Sequence, residues 1–403
     1  MRHLYRAVLR GRFLTDMRKL YEKLQTLCIF REILKDPVVS ALCNYLKKPT
    51  SSAYAGFVAE LYNANGGNLG EYIKELCSDS ENVFVKTLGC GKSVPKYMQK
   101  TLESELELLQ EVAELDKSAL RNGLDYKGFL PDFTTTNLRL KDIYLHRAEN
   151  IGKYGYGIYA KHRMFYVDEQ GDIVPVNHPD KTELSNLVDY ERERSIVLDN
   201  TKALLCGKPA ANILLTGDAG TGKSSTVKAI VNALWNEGLR IIEVRKDQLC
   251  SIKKILDELS VNPLKFILFI DDLSFLKDDD NFNTLKAVLE GSVTAKSKNV
   301  VIYATSNRRH IIKENFSDRE GDDIHRNDTM QELVSLSERF GIHVTFSKPN
   351  KETFLHIVHH LAEKNAVEMT EEELDLLAER FALERGGRSA RLAQQFIDGL
   401  LSR

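Results

Sequence analysis

The chain has 403 residues, enough for two or three domains of ordinary size. Hydrophobic residues make up 42%, which excludes bulk disorder, and a formal net charge of −2 gives no global attraction to nucleic acid or an anionic membrane. Six scattered cysteines with no CxxC pair argue against zinc ligation and a disulfide framework, so a reducing cytoplasm is the expected setting.

No run approaches the roughly 20 apolar residues of a membrane span, and no secretory signal opens the chain. Residues 1–50 carry eleven Lys or Arg against four Asp or Glu, a net of +7. That bias reads either as a surface for phosphates or acidic partners or as a solvated helix face. Residues 1–125 read as a helical N-terminal domain, with breaks at Pro37, at Pro49 to Ser52, and at Asn65-Gly66-Gly67. Leu102, Leu106, Leu109 and Leu115 recur at helical spacing, and such a stripe packs on its own domain more often than on a partner. Residues 126–183 read as an irregular linker, with a short hairpin around Gln170-Gly171 and a glycine-rich tract from Gly152 to Gly157.

From residue 184 the pattern alternates helix and short apolar strand, which predicts an α/β core over 184–348 built on a parallel sheet covered on both faces. Strands are expected at Ile213–Leu215, Leu239–Val244, Phe266–Ile270, Val300–Ala304 and Ile342–Phe346, and a helix over 187–205. Residues 349–403 read as a helical lid, with Thr370 and Glu373 as a capping box.

Gly217-Asp218-Ala219-Gly220-Thr221-Gly222-Lys223-Ser224 fits GxxxxGK[ST] after a strand and before a helix, with Ser225 next. Glycines let the backbone amides of such a loop face phosphate oxygens, and the helix N-terminus adds partial positive charge. Lys223 is placed to reach the outer phosphates and the Ser224 hydroxyl to ligate Mg²⁺. The strand ending in Asp271-Asp272 delivers carboxylates to the same sheet edge. Asp271 suits Mg²⁺ and Asp272 suits the attacking water.

These two motifs resemble the Walker A and Walker B elements of AAA+ ATPases. The resemblance covers residues 184–403 and implies a three-layer AAA+ core with a helical lid, binding ATP and Mg²⁺. It implies a sensor role for Asn307 at the end of Val300–Asn307. Arg339, in Ser337-Glu338-Arg339-Phe340-Gly341, is implied as an arginine finger reaching a neighbouring subunit, with Arg308 and Arg309 as other candidates in trans. Arg388, in Gly386-Gly387-Arg388 at the start of the last helix, is implied as the lid's phosphate contact, with Arg391 as its rival. Val188, in Leu187–Glu191, is implied to pack on adenine. The phrases GKPAANILLTGDAGTGKSS, FIDDLSF, IYATSNRRH and RFG are most similar to a bacterial single-AAA+ family known as a domain of unknown function.

Two departures matter. Asp272 stands where most AAA+ proteins carry glutamate, which withdraws the carboxylate by roughly 1.5 Å, one C–C bond, unless the backbone compensates. Arg245–Ser251, after the second core strand, lacks the aromatic and glycine of a polypeptide-gripping loop. The expected function is therefore an oligomeric ATPase that remodels or loads an unknown protein client. The alternative is an ATP-gated binding module with little turnover; a nucleic-acid loader using the basic first 50 residues is a third reading. His359 and His360 are expected to be surface residues.

Overall fold

Proline, glycine and capping side chains set the helix ends of the first half of the chain. The structure, a computed structural model, describes residues 2–121, 124–273, 280–290, 298–307 and 338–402. It divides into two compact units, Met1–Lys161 and His162–Arg403.

The first unit is helical. Asp36 caps Pro37–Lys47 by accepting the amides of Val38 and Val39, with Pro37 at the first position, where no amide is needed. Thr50 and Asn68 cap Ser51–Asn65 and Leu69–Ser78, and Gly66, left-handed at φ 76°, ends the former. The helix Lys96–Ala113 buries Leu102, Leu106 and Leu109 in this unit's own core, beside Phe30, Phe57 and Tyr144. On the same helix the buried Glu105 carboxylate accepts the amides of Cys28, Ile29 and Phe30 at 2.7, 3.1 and 2.9 Å, closing the turn that follows Arg2–Leu24.

Residues 126–183 do not form one linker; they are divided between the units. Leu140–Glu149 sends Leu140 and Tyr144 into the helical core, and the glycine-rich tract turns at Gly155 and Gly157 (φ 67° and 61°) between Ile151–Tyr154 and Ile158–Lys161. Met164–Val167 (β1) and Ile173–Pro175 (β2) form the hairpin, and it belongs to the sheet of the second unit.

That sheet continues with Ile213–Gly217 (β3), Leu239–Glu243 (β4), Lys265–Ile270 (β5), Val300–Ser306 (β6) and Ile342–Phe346 (β7). The order is β2-β1-β4-β5-β6-β3-β7, with every neighbour parallel except the β1–β2 hairpin. The central strands β3, β5 and β6 are almost wholly apolar because both their faces are covered, whereas the edge strand β7 alternates, with His343 and Thr345 exposed. Ile213, Leu215, Ile267 and Phe269 pack against Val227 and Ile230 of the helix Lys223–Leu234, while Leu214, Leu268 and Ile270 on the other face are equally buried. The register sets Thr216 beside Ser306 and Ile270 beside Ala304, so β3, β5 and β6 end together at one edge.

Lys351–Lys364, Glu371–Glu384 and Ala390–Leu401 form the lid around Phe354, Ile357, Leu374 and Phe396. Thr370 caps the middle helix and its hydroxyl meets Glu373 at 2.9 Å. The second unit is thus a mostly parallel α/β sheet followed by a three-helix C-terminal bundle, and the first unit is helical. Among the described residues no helix is long and apolar enough to cross a membrane.

Candidate nucleotide site

β3 ends on Gly217, and β7 passes so close that a Cβ there would lie 2.0 Å from the Phe346 carbonyl oxygen. Only glycine fits, and its φ of 135° is one that side chains rarely adopt. Gly220 and Gly222 are left-handed at 79° and 91°, and the loop they shape opens the helix Lys223–Leu234. This brings the free amides of a helix N-terminus to the edge where β5 and β6 also end.

Lys223 is 5% exposed. Its Nζ donates to the carbonyl oxygens of Gly217 (2.9 Å) and Asp218 (2.7 Å) and to Asn307 Oδ1 (3.1 Å). Burial pushes its pKa down, opposed by the carboxylates of Asp271, Asp218 and Asp272. From β5, Asp271 Oδ1 accepts the Ser224 hydroxyl at 2.7 Å, and Asp272 Oδ1 accepts Asn307 Nδ2 at 2.7 Å. The Asn307 amide thus bridges ammonium and carboxylate in the one orientation their chemistry allows, carbonyl to Lys223 and NH₂ to Asp272.

These groups line a cavity of about 770 Å³, within the range of small-molecule sites. Ala219 to Thr226, Asp271, Asp272 and Asn307 form its polar end, while Val188, Tyr190, Ile357 and Leu361 line it from the segment before the core and from the lid. Asp189 and Tyr190 both have φ of 60°, which a right-handed helix cannot continue, so the helix expected from 187 begins at Glu191 instead. The Tyr190 ring lies 5.4 Å from that of Phe346, and its hydroxyl donates to the Ser347 carbonyl at 2.5 Å. Burial, then Asp189, Glu193 and Asp218, push its pKa up to about 12. The lid fastens to this segment: His356 Nδ1 lies 3.2 Å from both Asp189 carboxylate oxygens, and Lys364 donates to Asn186 Oδ1.

The structure brings together Ala219 to Ser225 with Asp271, Asp272, Asn307 and Val188 on the cavity wall, while Gly217 and Asp218 hold Lys223 through their carbonyls. It does not bring Arg388. That residue forks onto Glu379 at 2.8 and 2.6 Å, away from the cavity wall, whereas Arg391 lines the cavity and its amide donates to Gly220 O at 3.2 Å. The reason is the helix start. Gly386 and Gly387 follow the preceding helix, and Ser389 caps the last one by accepting the Leu392 amide, so that helix begins at Ala390 and not at Gly386. Arg339 is half-buried just before β7 and is not among the residues lining its own chain's cavity. Arg308, Arg309 and Ser337 lie outside the described residues. His359 pairs with Asp375 at 2.5 Å, and no group of three metal-type ligands occurs among the described residues.

Thr305 and Arg194 are among the wall residues that escaped the sequence reading. Thr305 lies on β6 two residues before Asn307 and lines the cavity with it, and the two-residue alternation of a strand was the available signal. Arg194 donates to the carbonyls of Leu184 and Leu187 and so shapes the segment around Val188; nothing in its local sequence pattern marks it.

Residues 160–403, more than half of the chain, match the family described as "Protein of unknown function (DUF815)". The chain belongs to the DUF815 family. The DUF815 span contains every residue of the cavity. Among solved structures, the RuvB Holliday junction branch migration motor of Thermotoga maritima is similar at 17% identity and a TM-score of 0.38, over 54% of this chain and 63% of that one. A point mutant of that protein is similar at 16% identity and a TM-score of 0.37, over 54% and 63%. The chain thus spans less than two thirds of the RuvB chains it matches. No curated protein matches the sequence.

Proposed function

We propose that this DUF815 protein binds ATP with Mg²⁺ and hydrolyses it to change the state of a macromolecular partner. The observation that carries the reading is the convergence of Lys223, the Ser224–Asp271 pair and the Asp272–Asn307 pair on one cavity at the ends of β3, β5 and β6. The donor set fits Mg²⁺: a hydroxyl and a carboxylate oxygen, both hard, stand 2.7 Å apart beside a phosphate-type loop. Ser224 and Asp271 would hold the ion, which supplies charge neutralisation on the phosphates when bound.

Lys223 exchanges its loop carbonyls for outer phosphate oxygens, which matches its buried, carboxylate-flanked position. Asp272 orients the attacking water and takes its proton, while Asn307 holds the Asp272 carboxylate and faces the same phosphates through its bond to Lys223. Val188 and Tyr190 flank the base. Arg391, not Arg388, serves from the lid. Arg339 does not line its own chain's cavity, and the resemblance to AAA+ ATPases gives it a role in trans, with a homo-oligomer as the active form. One feature favours the slower, gated reading as a second account. Asp272 is already bonded to Asn307 and Lys223 to its own loop, a resting arrangement that nucleotide must displace.

The test is ATP turnover against protein concentration for the wild type, Lys223→Ala and Arg339→Ala. Turnover is expected to rise with concentration and to fall at least ~100-fold in both variants, the range for removing one positioned transition-state charge. Tight ATP binding with negligible turnover at every concentration replaces the ATPase by the gated module. Full activity of a dilute monomer, or of Arg339→Ala, removes the trans arginine.

A further inference from the structure

Thr305 is 2% exposed on β6, two residues before Asn307. Its hydroxyl does two things at once: it donates to Asp271 Oδ1 at 2.5 Å and accepts the Asp272 amide at 2.9 Å. Its carbonyl accepts the next amide, that of Leu273, at 2.7 Å. One residue therefore fixes the exit of the chain from β5 and the rotamer of the first acid.

The backbone so fixed is unusual. Asp272 has φ of 53°, in the left-handed region, where a short polar side chain is tolerated far better than a longer one. With its amide tied to Thr305, the Asp272 carboxylate reaches Asn307 Nδ2 at 2.7 Å, and Asn307 reaches Lys223 at 3.1 Å. In this turn the Asp272 carboxylate reaches the Asn307 amide despite its short side chain.

We propose that Thr305 is a positioning residue that pins Asp272 in this left-handed turn, so that a shorter acid meets the attacking water, and that turns Asp271 toward Ser224. The inference rests on the ATPase reading for the first role and on Mg-ATP binding alone for the second. The Ser224 and Thr305 hydroxyls both donate to Oδ1 of Asp271, which sets how that carboxylate faces the ion.

Three variants decide it. In Thr305→Val, kcat is expected to fall about 100-fold, the cost of a displacement of about 1 Å, while KM for ATP stays within about 3-fold. The gain in ATP affinity on adding Mg²⁺ is expected to shrink about 10-fold, as for loss of a group that orients a metal ligand. Thr305→Ser, which keeps the hydroxyl, recovers most of both. Asp272→Glu, made with Thr305 intact, is expected to lower kcat because the left-handed turn suits the shorter acid; a higher kcat overturns the proposal even if Thr305→Val does not fold. Equal kcat and an equal Mg²⁺ gain in Thr305→Val and wild type also overturn it. If wild type binds Mg-ATP without turnover, the ATPase reading falls and the Mg²⁺ gain alone decides Thr305. If wild type binds no ATP, both fall.

Discussion

Gly217 and Gly222 belong to one loop but are glycines for different reasons. At Gly217 a methyl group would meet the Phe346 carbonyl at 2.0 Å, and backbone cannot swing aside as a side chain can. At Gly222 nothing lies within 4 Å of the added Cβ, so only the φ of 91° resists substitution. Gly222→Ala is therefore expected to cost about 1–2 kcal/mol, the usual strain of a left-handed non-glycine, and Gly217→Ala clearly more, because β3 and β7 must part. Thermal melts of the two variants compare them, and equal shifts would show that the loop relaxes around the clash. The motif made both glycines legible in the sequence, but the distinction between them depends on where β7 passes, which no local pattern encodes. Arginine choice shows the same limit. Arg391→Ala is expected to weaken ATP binding about 10-fold or more, as loss of a charge-assisted phosphate contact does, and Arg388→Ala by under 3-fold. Nucleotide titration reads the difference, and the reverse order would restore Arg388 to the phosphates.

The Arg388 result is a matter of elements as much as residues. Paired glycines suggested the start of a helix, yet Gly386 and Gly387, at φ of 79° and 157°, close one helix, and Ser389 opens the next. A Ser immediately before Ala390 was the cap signal in the sequence, and it loses to the glycines only if helix starts and stops are not told apart. The displaced arginine then joins Glu371–Glu384 through Glu379, a two-pronged pair with Glu379 16% exposed. Hydrogen bonding to Arg388 lowers the Glu379 pKa below its usual 4.5. A carboxylate with a lowered folded-state pKa adds stability above the unfolded value and loses it as pH falls through the folded one. Wild type is therefore expected to exceed Glu379→Gln by about 0.5–1 kcal/mol at pH 7, with the gap closing below pH ~4.5. Denaturant titrations at pH 7, 5 and 3.5 follow this, and a gap constant with pH would mean that packing, not charge, holds the lid helices. The central strands β3, β5 and β6, by contrast, were legible element by element, because a strand buried on both faces has almost no polar alternation to blur it.

At the scale of the molecule, the second unit begins at His162 and the family match at residue 160, while the cavity takes its first wall residue from Thr182. A reading that starts the core at 184 follows the helix–strand alternation but leaves out β1 and β2, because a four-residue strand and a three-residue strand around a turn give too short a pattern to assign to a sheet. Their place becomes visible only through pairing. Met164, Phe165 and Tyr166 run parallel to Ile241, Ile242 and Glu243, and the buried Gln248 side chain donates to the carbonyls of Val167 and Asp168 at 3.0 and 2.9 Å. Without the hairpin, β4 becomes an open edge whose Ile241 and Ile242 are otherwise 3% and 0% exposed, and an apolar edge strand templates aggregation. The fragment 162–403 is therefore expected to melt cooperatively on its own and to bind ATP within about 3-fold of the full chain, since it holds the whole cavity and two cores of its own. The fragment 184–403 is expected to lose at least ~3 kcal/mol, from the exposed apolar area of β4 and the unpaired Gln248 amide, and to aggregate at micromolar concentration. Calorimetry and light scattering on the pair test this. A 184–403 fragment as stable and as monodisperse as 162–403 would show that the hairpin is an ornament on the sheet, and weaker ATP binding by 162–403 than by the full chain would overturn the placing of the whole site in the second unit.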